Sequence, residues 1–97
     1  MNILLVCSAG MSTSILVEKM RKEAAARGLD ASIDAIPESR LKEQSNVDVI
    51  LIGPQVRYIE GKIKSSVDVP VAVIDNMAYG MMKGDLVLDQ ALGLVNA

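Results

Sequence analysis

The sequence predicts an α/β domain on a four-stranded parallel sheet of order 2-1-3-4, helices on both faces. Three observations carry this. Four short runs suited to strands alternate with segments of helical period. Three of those runs are continuously apolar, as parallel strands covered on both faces must be. A loop of small and hydroxyl residues opening with a thiol, Cys7–Ser14, follows the first run directly, the place where such sheets build ligand sites.

The elements follow in order. The first strand is Asn2–Val6, with Ile3-Leu4-Leu5-Val6 as its apolar stretch. From Ser12 to about Arg27, Leu16, Met20 and Ala24 recur every fourth residue with Val17 beside them, while Glu18, Lys19, Lys22 and Glu23 take the outer face. Gly28 then suits the C′ position that ends a helix. In Ser32–Ile36 the polar Ser32 and Asp34 alternate with Ile33 and Ala35, the pattern of an edge strand. Glu38–Ser45 has one apolar residue, Leu41, and reads equally as a short helix or an ordered loop. Val49–Ile52 and Val71–Ile74 are the third and fourth strands. Between them, Val56, Ile59 and Ile63 stripe a helix over Gln55–Ser66, which Pro54 opens as an N1 proline. Leu88, Ala91, Leu92 and Val95 stripe a last helix with Asp85 as its N-cap. The first and third runs are the most uniformly apolar and belong at the centre, which gives the order 2-1-3-4. Chain direction then reverses between strands one and three, and the crevice there is flanked by Cys7–Ser14 and Gly53-Pro54-Gln55.

Ninety-seven residues make a single domain, 1–97. A chain of this size buries roughly 60–65% of its unfolded surface, enough for a core without disulfides. That core must be aliphatic, since Phe and Trp are absent and only two Tyr occur. Ten basic and twelve acidic residues are scattered without a basic stripe, so nucleic acid is not an expected partner. One cysteine and no histidine offer no metal set, and no cofactor is expected. A lone cysteine fits a reducing cytoplasm. The first apolar run is too short for a signal peptide or a membrane span. The expectation is a cytoplasmic domain, simplest as a monomer, that reaches a membrane only by docking.

The loop Cys7-Ser8-Ala9-Gly10-Met11-Ser12-Thr13-Ser14 has the layout of a phosphate cradle. Gly10 lets the backbone curl close to an anion, and a helix beginning near Ser12 offers unsatisfied N–H groups that favour thiolate or phosphate beside them. Ser8, Ser12, Thr13 and Ser14 add hydroxyl donors or helix caps. A thiol at the mouth of such a nest is placed to take up a phosphoryl group itself. A free cysteine is more commonly a small buried apolar residue; the turn chemistry after Cys7 favours the reactive reading. Met11 stands in the loop, outside any core stripe, and suits contact with more than one partner. Pro54, Gln55 and Tyr79 are further candidate partner contacts near the same sheet edge, and Tyr79 reads equally as a cover over the cradle or a half-exposed loop residue. Asp75 reads as a loop or capping acid, and of Met77, Met81 and Met82 at least one belongs in the core.

The spacing resembles the Cys-x5-Arg-Ser/Thr loop of the low-molecular-weight tyrosine phosphatases, but Thr13 holds the Arg place, with Ser14 after it. Without a guanidinium, less transition-state charge is neutralised and hydrolysis is poorly supported. A small Cys-dependent phosphatase is therefore the alternative, not the leading reading. Together with Leu51-Ile52-Gly53-Pro54-Gln55-Val56-Arg57-Tyr58 and Val73-Ile74-Asp75-Asn76-Met77-Ala78-Tyr79-Gly80, the loop closely resembles the IIB component of the sugar phosphotransferase system, lactose/cellobiose/diacetylchitobiose branch, over essentially the whole chain. That resemblance implies that Cys7 is phosphorylated by a histidine of a IIA protein. It implies transfer from Cys7 to a disaccharide held by the membrane-embedded IIC transporter, to which the chain would be peripheral.

Overall fold

The structure, a computed structural model, describes residues 1–7 and 11–95, and all of their side chains except those of residues 11–13. Its elements run β1 (Asn2–Cys7), α1 (Met11–Ala26), β2 (Ser32–Pro37), a 3-10 helix (Glu38–Glu43) and β3 (Val49–Ile52). A second 3-10 helix (Pro54–Ile59) leads into α2 (Glu60–Ser66), followed by β4 (Val71–Val73), α3 (Asn76–Gly80) and α4 (Gly84–Val95). The sheet order is β2-β1-β3-β4, parallel throughout, as the run pattern predicts.

Alternation along β1 and β3 divides the core into two layers. Ile3, Leu5, Val49 and Leu51 pack with Leu16, Met20, Val87, Leu88 and Ala91 under α1 and α4. Leu4, Val6, Ile50 and Ile52 pack with Val56, Ile59 and Ile63 under α2 and the turn before it. Both faces of the central strands are thus covered, which is why those runs carry no polar residue.

Helix α1 ends where the sequence says. Gly28 adopts φ 70°, the Gly28 N–H donates to Ala25 O (3.1 Å) and the Leu29 N–H to Ala24 O (2.9 Å). These two bonds close a Schellman motif, with Leu29 packed on the core as its apolar contact. Arg27 donates to Asp89 Oδ1 at 2.6 Å and Glu23 Oε2 at 2.7 Å, tying the end of α1 to α4. Those hydrogen bonds, to Asp89 first and Glu23 second, raise the guanidinium's already high pKa. Its positive charge therefore persists through and above the pH range in which an ordinary arginine would lose it.

Long side chains close both sheet edges. On β2, Arg21 Nε donates to Ile33 O and Arg21 Nη2 to Asp34 Oδ1, both at 2.8 Å. On β4, Gln90 Nε2 donates to Val73 O at 2.8 Å, and Gln90 Oε1 accepts from the Asp75 N–H at 3.1 Å.

Three local expectations change and one left open is resolved. Strand β4 stops at Val73, although Ile74 remains buried and its N–H still donates to Ile52 O. The stripe Val56, Ile59, Ile63 begins in a 3-10 turn, and a kink at Val56 (φ −120°, ψ 27°) separates it from α2. Glu38–Glu43 is a 3-10 helix, one of the two forms left open. Asp85 does not cap α4: Lys83 O accepts the first helical bond from the Val87 N–H, so Asp85 stands inside the first turn, where its charge suits the helix dipole.

The segment after β4 holds a helix that hydropathy did not announce. Asp75 caps α3, its Oδ2 accepting from the Ala78 N–H at 2.9 Å. Replacing Asp75 by Ala is expected to cost about 1 kcal/mol of stability, most of it restored by Asn. An unchanged urea midpoint for Asp75→Ala would count against this cap. Of the three methionines, Met77 and Met81 are exposed and Met82 packs against the core under α1 and α4.

Candidate functional site

The site is built at the switch point of the sheet. β1 delivers Cys7 to the carboxyl edge, directly opposite Pro37 of β2 in the ladder. On its other side β3 ends at Ile52, and the Gly53 N–H donates to Val6 O at 2.8 Å, which holds the Gly53–Gln55 turn against the strand carrying the thiol. A Cβ built on Gly53 would lie 3.7 Å from Cys7 Cβ and 3.2 Å from Gln55 Oε1, a measure of how closely this turn abuts the cysteine.

Cys7 is 8% exposed. Its Sγ lies 3.8 Å from Ile36 O, a distance at which a thiol donates weakly. It is not sealed among aliphatic side chains. A cavity of about 200 Å³ is lined by Cys7, with Pro37, Glu38 and Ser39 from one side and Val56, Tyr58 and Ile59 from the other. The sulfur thus has a space in front of it bounded by two 3-10 helices, each following directly on a strand's carboxyl end.

The other predicted site residues are placed as follows. Ser8, Ala9 and Gly10, the first part of the expected cradle, lie outside the described residues, as do the side chains of Met11, Ser12 and Thr13. The backbone of Met11–Ser14 is the first turn of α1, and the Ser14 side chain is exposed. Pro54 is half-buried at the start of its 3-10 helix and Gln55 is exposed. Tyr79 is 6% exposed and belongs to the core layer under α1 and α4, so it is not a half-exposed loop tyrosine.

Sequence reasoning missed Glu38, Ser39 and Tyr58 as neighbours of the thiol. The available signal was topological. Glu38 follows the end of β2 just as the loop follows β1, and Tyr58 lies in the turn after β3, so all three elements converge on one edge.

With this geometry in place, kinship is decisive. Residues 2–90 match the family model described as PTS system, Lactose/Cellobiose specific IIB subunit. The chain belongs to this family. It is 43% identical to the oligo-beta-mannoside-specific EIIB component of Bacillus subtilis (strain 168), over 96% of this chain and 94% of that protein. It is 42% identical to the cellobiose-specific EIIB component of Lactococcus lactis subsp. lactis (strain IL1403), over 97% and 95%. The solution structure of the cellobiose-specific phosphotransferase IIB component from Borrelia burgdorferi superposes with a TM-score of 0.82 at 41% identity, covering 99% of this chain and 92% of that one. The lactose-specific IIB domain of Streptococcus pneumoniae has the same fold (TM-score 0.83, 97% and 96% covered) at only 15% identity. As a IIB component the chain is a phosphotransferase of sugar transport. Among its described residues no helix is long and apolar enough to cross a membrane.

Proposed function

We propose that Cys7 of this IIB domain is the phosphoryl carrier: it accepts a phosphoryl group from a histidine of a IIA protein and passes it to a disaccharide of the cellobiose, lactose or diacetylchitobiose type bound by a IIC transporter. The observation that carries this reading is the position of Cys7, at the carboxyl end of a central strand, beside the switch point and opening on a cavity. Kinship with cellobiose- and oligo-beta-mannoside-specific components supports the sugar class. In the first step the S–P bond forms as the N–P bond of the phosphohistidine breaks, and the thiol proton passes to the departing imidazole. In the second an O–P bond to the sugar forms as S–P breaks. Both are in-line displacements in which positioning and main-chain donors do most of the stabilising.

Those donors are the N–H groups of Ser8, Ala9, Gly10, Met11, Ser12, Thr13 and Ser14, around the N-terminus of α1. Met11, Pro54 and Gln55 are the proposed partner contacts; Tyr79, buried in the core layer under α1 and α4, is not one of them. Docking to IIC makes the domain peripheral to the membrane on its cytoplasmic side. Thr13 in place of the phosphatase arginine keeps the cysteinyl phosphate from draining to water.

Phosphorus NMR of the chain mixed with phosphorylated IIA tests this. A single S-phosphate resonance is expected, and it should disappear when IIC and its sugar are added. Steady growth of inorganic phosphate without an S-phosphate signal would overturn the carrier reading in favour of hydrolysis.

A further inference from the structure

The cavity in front of Cys7 has walls that phosphoryl chemistry alone does not require. Tyr58 is 81% exposed although it lines this cavity, and it is one of only two aromatic residues in the chain; the other is buried. Glu38 and Ser39 line the same cavity. An aromatic residue sharing a cavity with a carboxylate-bearing and a hydroxyl-bearing residue is the chemistry that holds a sugar ring. The C–H face of a pyranose packs on the aromatic ring, and its hydroxyls donate to the carboxylate. Anion binding alone explains none of this, because a carboxylate repels phosphate.

That repulsion is moderated. Lys62 Nζ of α2 lies 3.1 Å from Glu38 Oε2, an oxygen shielded from solvent, so an ammonium balances the charge at the wall where a dianion must sit. At about 200 Å³ the space falls below the roughly 300–1,000 Å³ of pockets that enclose drug-sized ligands. It has room for one ring, not for a disaccharide.

We infer that Tyr58, Glu38 and Ser39 form an acceptor subsite on this domain, which takes the reacting ring of the sugar while the other ring stays with the transporter. This rests on the carrier reading of Cys7 and adds a substrate-touching set to it. In the transfer step the ring hydroxyl forms the O–P bond as S–P breaks. The electron pair stays on Cys7 as thiolate and the hydroxyl proton passes to the Glu38 carboxylate. The balance closes without a further reactant.

The test is a titration of the isotope-labelled chain with methyl β-D-glucoside, followed by backbone amide shifts. Saturable shifts at Glu38, Ser39, Tyr58 and Ile59 are expected, with a dissociation constant of the order of millimolar. Tyr58→Ala should weaken binding about tenfold; so exposed a side chain can be removed without unfolding the chain. Glu38→Gln should slow discharge of loaded Cys7 to sugar in the presence of IIC. Shifts that never saturate, or that are equal in Tyr58→Ala, overturn the subsite. If Cys7 loads from IIA while no sugar titrates, the subsite fails and the carrier reading stands. If sugar titrates while Cys7 never loads, the carrier reading fails and the binding site stands.

Discussion

Cys7→Ala is expected to abolish phosphoryl acceptance from IIA, and Cys7→Ser to reduce it by at least about 1,000-fold. Alanine removes the nucleophile. Serine keeps an oxygen in nearly the same place, but its hydroxyl is far less acidic than a thiol and attacks phosphorus poorly without a base beside it. Neither change should disturb the fold. The residue ends β1, and one buried sulfur with its weak contact to Ile36 O is at stake, so stability should move by about 1 kcal/mol. Intact-protein mass spectrometry after incubation with charged IIA reads the result directly, as presence or loss of one phosphoryl increment. Normal loading of Cys7→Ala would place the acceptor elsewhere and remove the basis of the proposed mechanism.

The second large effect concerns stability. Gly84→Ala is expected to destabilise the domain by about 1–3 kcal/mol, with each kcal/mol lowering the melting temperature by about 4–8 °C. A Cβ built on Gly84 would lie 2.8 Å from Lys19 C, Lys19 Cβ and Met20 N in α1. Two of these are backbone atoms, which cannot step aside as a flexible side chain would. Alanine ordinarily improves a helix by up to about 1 kcal/mol over glycine, but here the overlap with α1 outweighs that gain. Relief would require α4 to lift from α1, separating Val87, Leu88 and Ala91 from Leu16 and Met20. Thermal unfolding followed by circular dichroism measures the change, and an unchanged midpoint would mean that the two helices part at little cost.

What could be read in the sequence was what a long period or a strong local rule encodes. The continuously apolar β1 and β3 stretches placed these strands at the centre, and the alternation in Ser32–Ile36 placed β2 at an edge. Gly28 announced its own left-handed turn. Helix α3 escaped because five residues are too few to show a helical period. Its end gives no signal either: Met82, not glycine, takes the left-handed position (φ 54°), with the Met82 N–H on Tyr79 O and the Lys83 N–H on Ala78 O. The 3-10 start at Pro54 was hidden for a related reason, since Val56 and Ile59 three apart fit a 3-10 turn and an α-helix alike. At the site, Cys7 stood out through its sequence context. Glu38 and Tyr58 did not, because their place beside the thiol depends on where β2 and β3 end.

The outermost strands have one more consequence. Arg21 on one margin and Gln90 on the other occupy main-chain groups that a further strand would need for pairing. A second molecule finds less there to zip onto, so the sheet tends to stop at four strands. For the carrier role proposed above, in which the domain leaves one protein and meets the next, reluctance to join its own kind would keep it free to shuttle.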